Sequence, residues 1–257
     1  MVDTAGSKPR QTYVEQRARG AYIASICQPE AAFDLSTAAQ QQAPEDTDFK
    51  ALNARLQWQL DNQDRGLTYL PLDLRSAALY VFVDGSFANN KDLSSQIGYV
   101  IVLGTEGDPP EDHQFTLTGN IVHWSSTKAK RVTKSVLASE ILAMSDGTDK
   151  GTVIVATINQ ILRQLNLHSI PMIVCTDSFS LYECLVKLGT TNEKRLMIDI
   201  MALRESYERR EIAEVRWING QDNPADAMTK KDPNPSLETL INSNSITIRV
   251  EGWVKRP

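Results

Sequence analysis

The chain has 257 residues, 23% of them charged and 41% apolar, enough for one large domain or a domain with a substantial extension, in the composition range of soluble globular proteins. No apolar run approaches the roughly 20 residues that cross a bilayer, the opening MVDTAGSKPRQ lacks the apolar core of a secretion signal, and Cys27, Cys175 and Cys184 fall at no metal-ligand or disulfide spacing, so an intracellular, reducing setting is expected. The net charge of −5 speaks against a general polyanion binder, yet Lys128, Lys130, Arg131 and Lys134 form a wholly basic stretch while acids gather in EDTD and EGDPPED; that stretch is either a nucleic-acid contact or a solvated loop.

Residues 10–27 carry Tyr13, Ala18, Tyr22, Ile23 and Ile26 at helical spacing. A polar loop around Gln40–Asp48 follows, then an amphipathic helix in FKALNARLQWQLDN and a turn near Pro71. From Leu79 the pattern changes to strands: LYVFVD, IGYVIVL and NIVHWSS, with EGDPPED as a turn between the last two. Three strands at this spacing predict an antiparallel meander. Two helices are expected next, SVLASEILAMSDG and VIVATINQILRQLNL, then a buried strand PMIVCTD, a short helix SLYECLVKL and a longer one EKRLMIDIMALRESYERR. AEVRWI reads as a last strand of the domain and NPADAMTK as the opening of a final helix. The order predicts an α/β fold with a mixed sheet and helices on its faces. Past Lys231 the tail holds one more strand-like run, Ser245–Val250.

Four acids stand out by place. Asp84 ends the first strand, Asp177 ends the buried strand after Ile173, Val174 and Cys175, and Asp226 stands in NPAD. Each of these alone reads equally well as a helix N-cap. Glu140 is different, because it lies amid Leu137, Ala138, Ile141 and Leu142, and an acid on a packed helix face needs a partner.

Taken in order, VDGSF, ASEILAM, CTDSFSL and NPADAMTK resemble the four blocks of the ribonuclease H domain of copia-type retrotransposon reverse transcriptases. EKRLMIDIMALRE is similar to that family's helix before the last strand, with Lys194, Asp199, Arg204 and Glu205 in matching places. RARGAYIASICQPEAAFDLSTAA resembles the segment that follows the polymerase palm, with Gln28 in place of the family's arginine, Pro29 kept and Glu30 for its aspartate. The resemblance covers roughly residues 14–231. It implies a ribonuclease H-like fold with a mixed five-stranded sheet, helices on both faces and a helical N-terminal extension. The division it suggests is a connection-like segment at residues 1–75, a ribonuclease H domain at 76–232 and a tail at 233–257 with no match.

The implied activity is hydrolysis of the RNA strand of RNA–DNA hybrids by two magnesium ions, with manganese as a substitute. Two such ions about 4 Å apart stabilise the charged transition state and deprotonate water, and oxygen ligands suit them. The resemblance gives Asp84 the bridging role, Glu140 and Asp177 the ion near the leaving group, and Asp226 the ion that activates water. Lys128, Lys130, Arg131 and Lys134, then Lys194 and Arg195, are the candidates for positioning phosphates; an exposed helix face is the plain alternative for the last two. Polymerase or integrase parts of a retrotransposon polyprotein are the expected partners, no membrane is, and the expected place is the cytoplasm, inside a virus-like particle, or the nucleus.

Cellular ribonucleases H carry a histidine in the loop before the last aspartate, where this chain has NGQDN. Its absence bears on product release rather than on metal binding. Y-x-D-D, a His-His-Cys-Cys zinc set and an aspartic-protease nucleus are all missing from the sequence, so DNA synthesis by this chain is not expected. The competing reading is a domesticated or inactive module that binds nucleic acid or protein without cutting. An integrase core is disfavoured by its different final spacing of acids. His123, beside Trp124 on a strand, is read as structural.

Overall fold

The computed structural model describes residues 1–2, 8–107, 111–186 and 194–255. Helices α1 (Pro9–Ile26), α2 (Ala32–Ala39) and α3 (Asp46–Asp61) come first, then strands β1 (Ala77–Ser86), β2 (Gln96–Gly107) and β3 (Gln114–Lys128). Helix α4 (Val136–Gln164), β4 (Met172–Thr176), α5 (Phe179–Val186), α6 (Leu196–Glu208), β5 (Glu214–Ile218), α7 (Ser236–Ser243) and β6 (Ser245–Lys255) complete the order. The centre of the predicted EGDPPED turn and the end of the predicted helix SLYECLVKL fall outside the described residues.

β1 pairs antiparallel with β2 and parallel with β4; β2 pairs with β3 and β4 with β5. This is a mixed α/β sheet, as the order of elements in the sequence predicts. The sheet has six strands where five were expected. β6, built from the tail beyond Lys231, pairs antiparallel with both β3 and β5 and closes the sheet into a barrel in the order β1-β2-β3-β6-β5-β4. The strand-like run at Ser245–Val250 is its first half.

β1 is buried on both faces, which is why its sequence is a continuous apolar run rather than an alternating one. Leu79, Val81 and Val83 join Met172, Val174, Val215 and residues of α4 and α6 in one core. Tyr80 and Phe82 face the barrel interior with Val100, Leu117, Cys175, Leu237 and Ile248. The two helices predicted over residues 135–167 are one helix of 29 residues. The polar, glycine-bearing stretch that suggested a break is a contact instead. A Cβ on Gly147 would lie 2.8 Å from Val83 Cγ1, and one on Gly151 would lie 2.7 Å from Val81 Cγ2 and from Met172 Sδ. These glycines, one helical turn apart, let α4 lie close against β1. Ser135 caps it by accepting from the Ala138 N–H at 3.2 Å.

The helical extension has its own small core of Tyr13, Ala24, Leu35, Phe49, Leu52 and Leu56. Gln28 is buried and donates to the Asn62 carbonyl at 2.9 Å, while Arg65 pairs with Glu30 at 2.5 Å. The extension is seated on the barrel through Trp124 Nε1, which donates to the Ala24 carbonyl at 3.0 Å, and through Gln96, which donates to Ser36 Oγ at 2.9 Å.

Candidate active site

The parallel register of β1 and β4 runs from Leu79 opposite Met172 to Val83 opposite Thr176. Continued by one residue, it sets Asp84 beside Asp177 at the carboxyl ends of two adjacent strands. Glu140 reaches them from the second turn of α4 because Gly85 makes room. A Cβ there would lie 2.4 Å from the Ser139 carbonyl carbon and 2.7 Å from the Glu140 nitrogen, so only glycine lets the helix cross β1 at this height. One ligand oxygen from each of Asp84, Glu140 and Asp177 lies within 4.8 Å of the others.

Asp226 arrives by another route. The predicted final helix is a short 3₁₀ turn, Pro224–Met228. Asn223 ties its start to β1 by donating to the Val83 carbonyl at 3.0 Å and accepting from the Ala225 N–H at 3.1 Å. Opposite Asp84 on β2 stands Gly98; a Cβ on it would lie 2.2 Å from Met228 Cβ, so this glycine lets the turn settle over the sheet. The turn reverses at Met228, and two side chains point back: Thr229 donates to Asp84 Oδ2, and the Lys230 ammonium contacts Asp226 Oδ1. The second oxygen of Asp226 accepts from the Asn234 N–H at 2.8 Å. Asp226 is thus buried and held beside the other three acids rather than within their cluster.

Crowding and burial govern the charges. Burial, then repulsion from Asp177, lifts the Asp84 carboxyl to about 7, against the pull of Lys230 and the Thr229 hydroxyl. Glu140 is pushed well above the carboxylate range by burial, then by Asp84 and Asp177. Asp177 is raised too, by burial, with the charge of Lys230 opposing. Burial works against the charge on Lys230, but Asp84 and Asp226 outweigh it and raise its pKa. Glu140 Oε2 is buried with no hydrogen-bond partner. An orphaned carboxylate oxygen among repelling acids is an arrangement that a divalent cation would satisfy.

Four of the six basic candidates, Arg131, Lys134, Lys194 and Arg195, meet beside the start of α4, and Lys128 and Lys130 lie outside that cleft. A cleft of about 600 Å³ is lined by Arg131, Thr133, Lys134, Lys194 and Arg195, with Ala138 and Leu142 of α4. Two stretches some 60 residues apart in sequence therefore share one surface. Lys128, Lys130, Arg131, Lys134, Lys194 and Arg195 are all exposed. Lys128 contacts Asp92, and Arg131 pairs with Asp199 at 2.7 Å. His123 accepts from or donates to the Tyr99 hydroxyl at 3.2 Å, and burial lowers its pKa; it belongs to the sheet. Thr229 and Lys230 escaped the sequence reading as site residues. Their spacing from Asp226, three and four positions on, is the signal that points to them.

No family model and no curated protein matches the chain. Among solved structures it is similar to a ribonuclease H1 from the halophilic archaeon Halobacterium salinarum, at 17% identity over 63% of this chain and 98% of that one, with a TM-score of 0.40. It is also similar to LC11 ribonuclease H1 in complex with an RNA/DNA hybrid, at 16% identity over 62% of this chain and 99% of that one, with a TM-score of 0.40. A third similar structure is the protease-reverse transcriptase of prototype foamy virus, at 14% identity over 63% of this chain and 23% of that one, with a TM-score of 0.31.

Proposed function

We propose that this chain is a metal-dependent endonuclease that hydrolyses the RNA strand of RNA–DNA hybrids, with a retrotransposon reverse transcriptase of the copia type as its origin. The observation that carries the reading is the convergence of Asp84, Glu140 and Asp177, with ligand oxygens within 4.8 Å of one another, beside the orphaned Glu140 Oε2. These three residues would hold the metal, with Asp226 alongside. Magnesium, or manganese in its place, supplies charge neutralisation and an activated water when bound.

The chain's own residues do the rest. Thr229 fixes one oxygen of Asp84 and the Asn234 N–H one oxygen of Asp226, so these acids hold their places as a substrate phosphate approaches. Lys134, Lys194 and Arg195, with Lys128, Lys130 and Arg131 beside them, are proposed to bind phosphates along the duplex without reading bases. Choice of hybrid would come from helix shape and the 2′-hydroxyl. Residues 76–232 are proposed as the nuclease domain and residues 1–75 as a connection-like segment, with β6 of the remaining tail completing the sheet. Polymerase or integrase parts of a polyprotein are the proposed partners. Among the described residues no helix is long and apolar enough to cross a membrane.

One observation favours binding without cleavage: the Lys230 ammonium already pairs with Asp226. Labelled hybrid, incubated with wild type and with Glu140→Gln at equal protein and magnesium, separates the two. The nuclease reading expects wild type to cut the RNA strand and Glu140→Gln to bind hybrid without cutting. Binding by both with cleavage by neither would favour the non-cutting module.

A further inference from the structure

We propose that Lys230 is a built-in counter-cation of the acidic centre, which holds the carboxylates together while no divalent ion is bound and must withdraw for an ion to load. The proposal rests on the metal-dependent reading of the site and adds a competitor within the chain.

The placement is specific. The backbone N–H groups of Thr229 and Lys230 both bond to the Asp226 carbonyl at 3.1 Å, which turns the chain back over the site as the 3₁₀ turn ends. The Lys230 ammonium contacts Asp226 Oδ1, and its charge is also felt by Asp84, Glu140 and Asp177. Four carboxylates therefore share one positive charge, where two divalent ions would bring four. An exposed pair at this spacing contributes little, but Asp226 is only 5% exposed, and an unpaired buried carboxylate is costly.

The side chain is also free to leave. It is 45% exposed, on an unbranched stem that can carry the ammonium into water. Asp226 does not depend on it for its place, because the Asn234 N–H holds the other carboxylate oxygen. Loading of the site is then an exchange of an ammonium for a metal ion. The exchange weakens metal affinity below what the same acids would give alone, and it spares the metal-free chain the full repulsion among them.

Manganese binding by the full chain, followed by the paramagnetic resonance of free ions, tests this in wild type, Lys230→Met, Lys230→Arg and Asp84→Asn. Lys230→Met is expected to bind manganese at least tenfold more tightly, about 1.4 kcal/mol, and to melt at a lower temperature than wild type in chelator. Lys230→Arg, which keeps the charge, is expected to bind like wild type. Lys230→Gln, which can still bond Asp226 without charge, serves if the methionine variant does not fold. If wild type binds manganese, Asp84→Asn loses it, and the neutral Lys230 variants bind no more tightly than wild type, the counter-cation is refuted and the metal site stands. If neither wild type nor the neutral variants bind more manganese than Asp84→Asn, the metal reading falls and the proposal with it.

Discussion

Replacing Asp84 by asparagine should stabilise the metal-free protein while removing its chemistry. The Asp84 carboxyl titrates at about 7 in the fold, against 3.8 in an unfolded chain. A carboxyl raised in this way keeps its proton on folding, so its penalty is absent below the unfolded value and complete above the folded one. At about 1.4 kcal/mol for each pH step between the two, the ionised group opposes folding at pH 8 by roughly 4 kcal/mol as an upper bound. Asparagine gives back part of that gain, because the Thr229 hydroxyl loses a charged acceptor, worth about 1.5–3 kcal/mol. A net stabilisation of about 1–3 kcal/mol at pH 8 in chelator follows, or roughly 2–10 °C in melting temperature for a chain of this size. Urea unfolding at pH 8 and at pH 5 measures it, and the difference between wild type and variant should shrink at pH 5, where Asp84 is protonated. Cleavage of hybrid should be lost at both pH values. A variant less stable than wild type at pH 8 without metal would refute the claim that repulsion and burial dominate at Asp84.

Three further outcomes follow from the packing and the charges. Gly98→Ala forces a Cβ into a space 2.2 Å from Met228 Cβ, so it should cost about 1–3 kcal/mol, measured by urea unfolding, and should lower cleavage by displacing Asp226. Arg216→Met should cost about 3–5 kcal/mol in the same assay. The guanidinium is buried, pairs with Glu214 at 2.9 Å and with Glu106 at 2.5 Å, and lies 4.5 Å from the Phe115 ring centre, so both acids lose their cation and Glu106 keeps only the Tyr80 hydroxyl. Lys134→Glu with Arg195→Glu should weaken hybrid binding and flatten the slope of log affinity against log salt by roughly 2; an unchanged slope would make the cleft a solvated surface.

Much of the sheet was legible in the sequence because β1 and β4 are buried on both faces and so stand out as apolar runs, each stopped by an acid. Asp84 and Asp177 stood out singly as strand-ending acids that could equally be helix caps, the resemblance alone joined them in one site, and Glu140 stood out as a charge on a packed helix face. What was not legible depends on contacts between distant segments. Gly147 and Gly151 look like helix breakers until β1 lies beneath them. Pro224–Met228 reads as the start of a helix, yet Thr229 and Lys230 find partners only by turning back to Asp84 and Asp226. The pairing of Arg131 with Asp199, 68 residues away, and the closure by β6 have no local signature. The basic residues were visible as two separate runs, and only the fold brings Arg131 and Lys134 of one and Lys194 and Arg195 of the other to one cleft.

Closure by β6 also limits how copies of this chain could associate. An unpaired edge strand invites another chain to add to it, but the first half of β3 and the whole of β5 already have β6 as a neighbour. The later half of β3 lies under the helical extension, with Trp124 tied to α1 and Gln96 of the adjoining strand tied to α2. Strand addition is therefore closed to a second copy along these edges, and self-association there would have to run through helices and side chains.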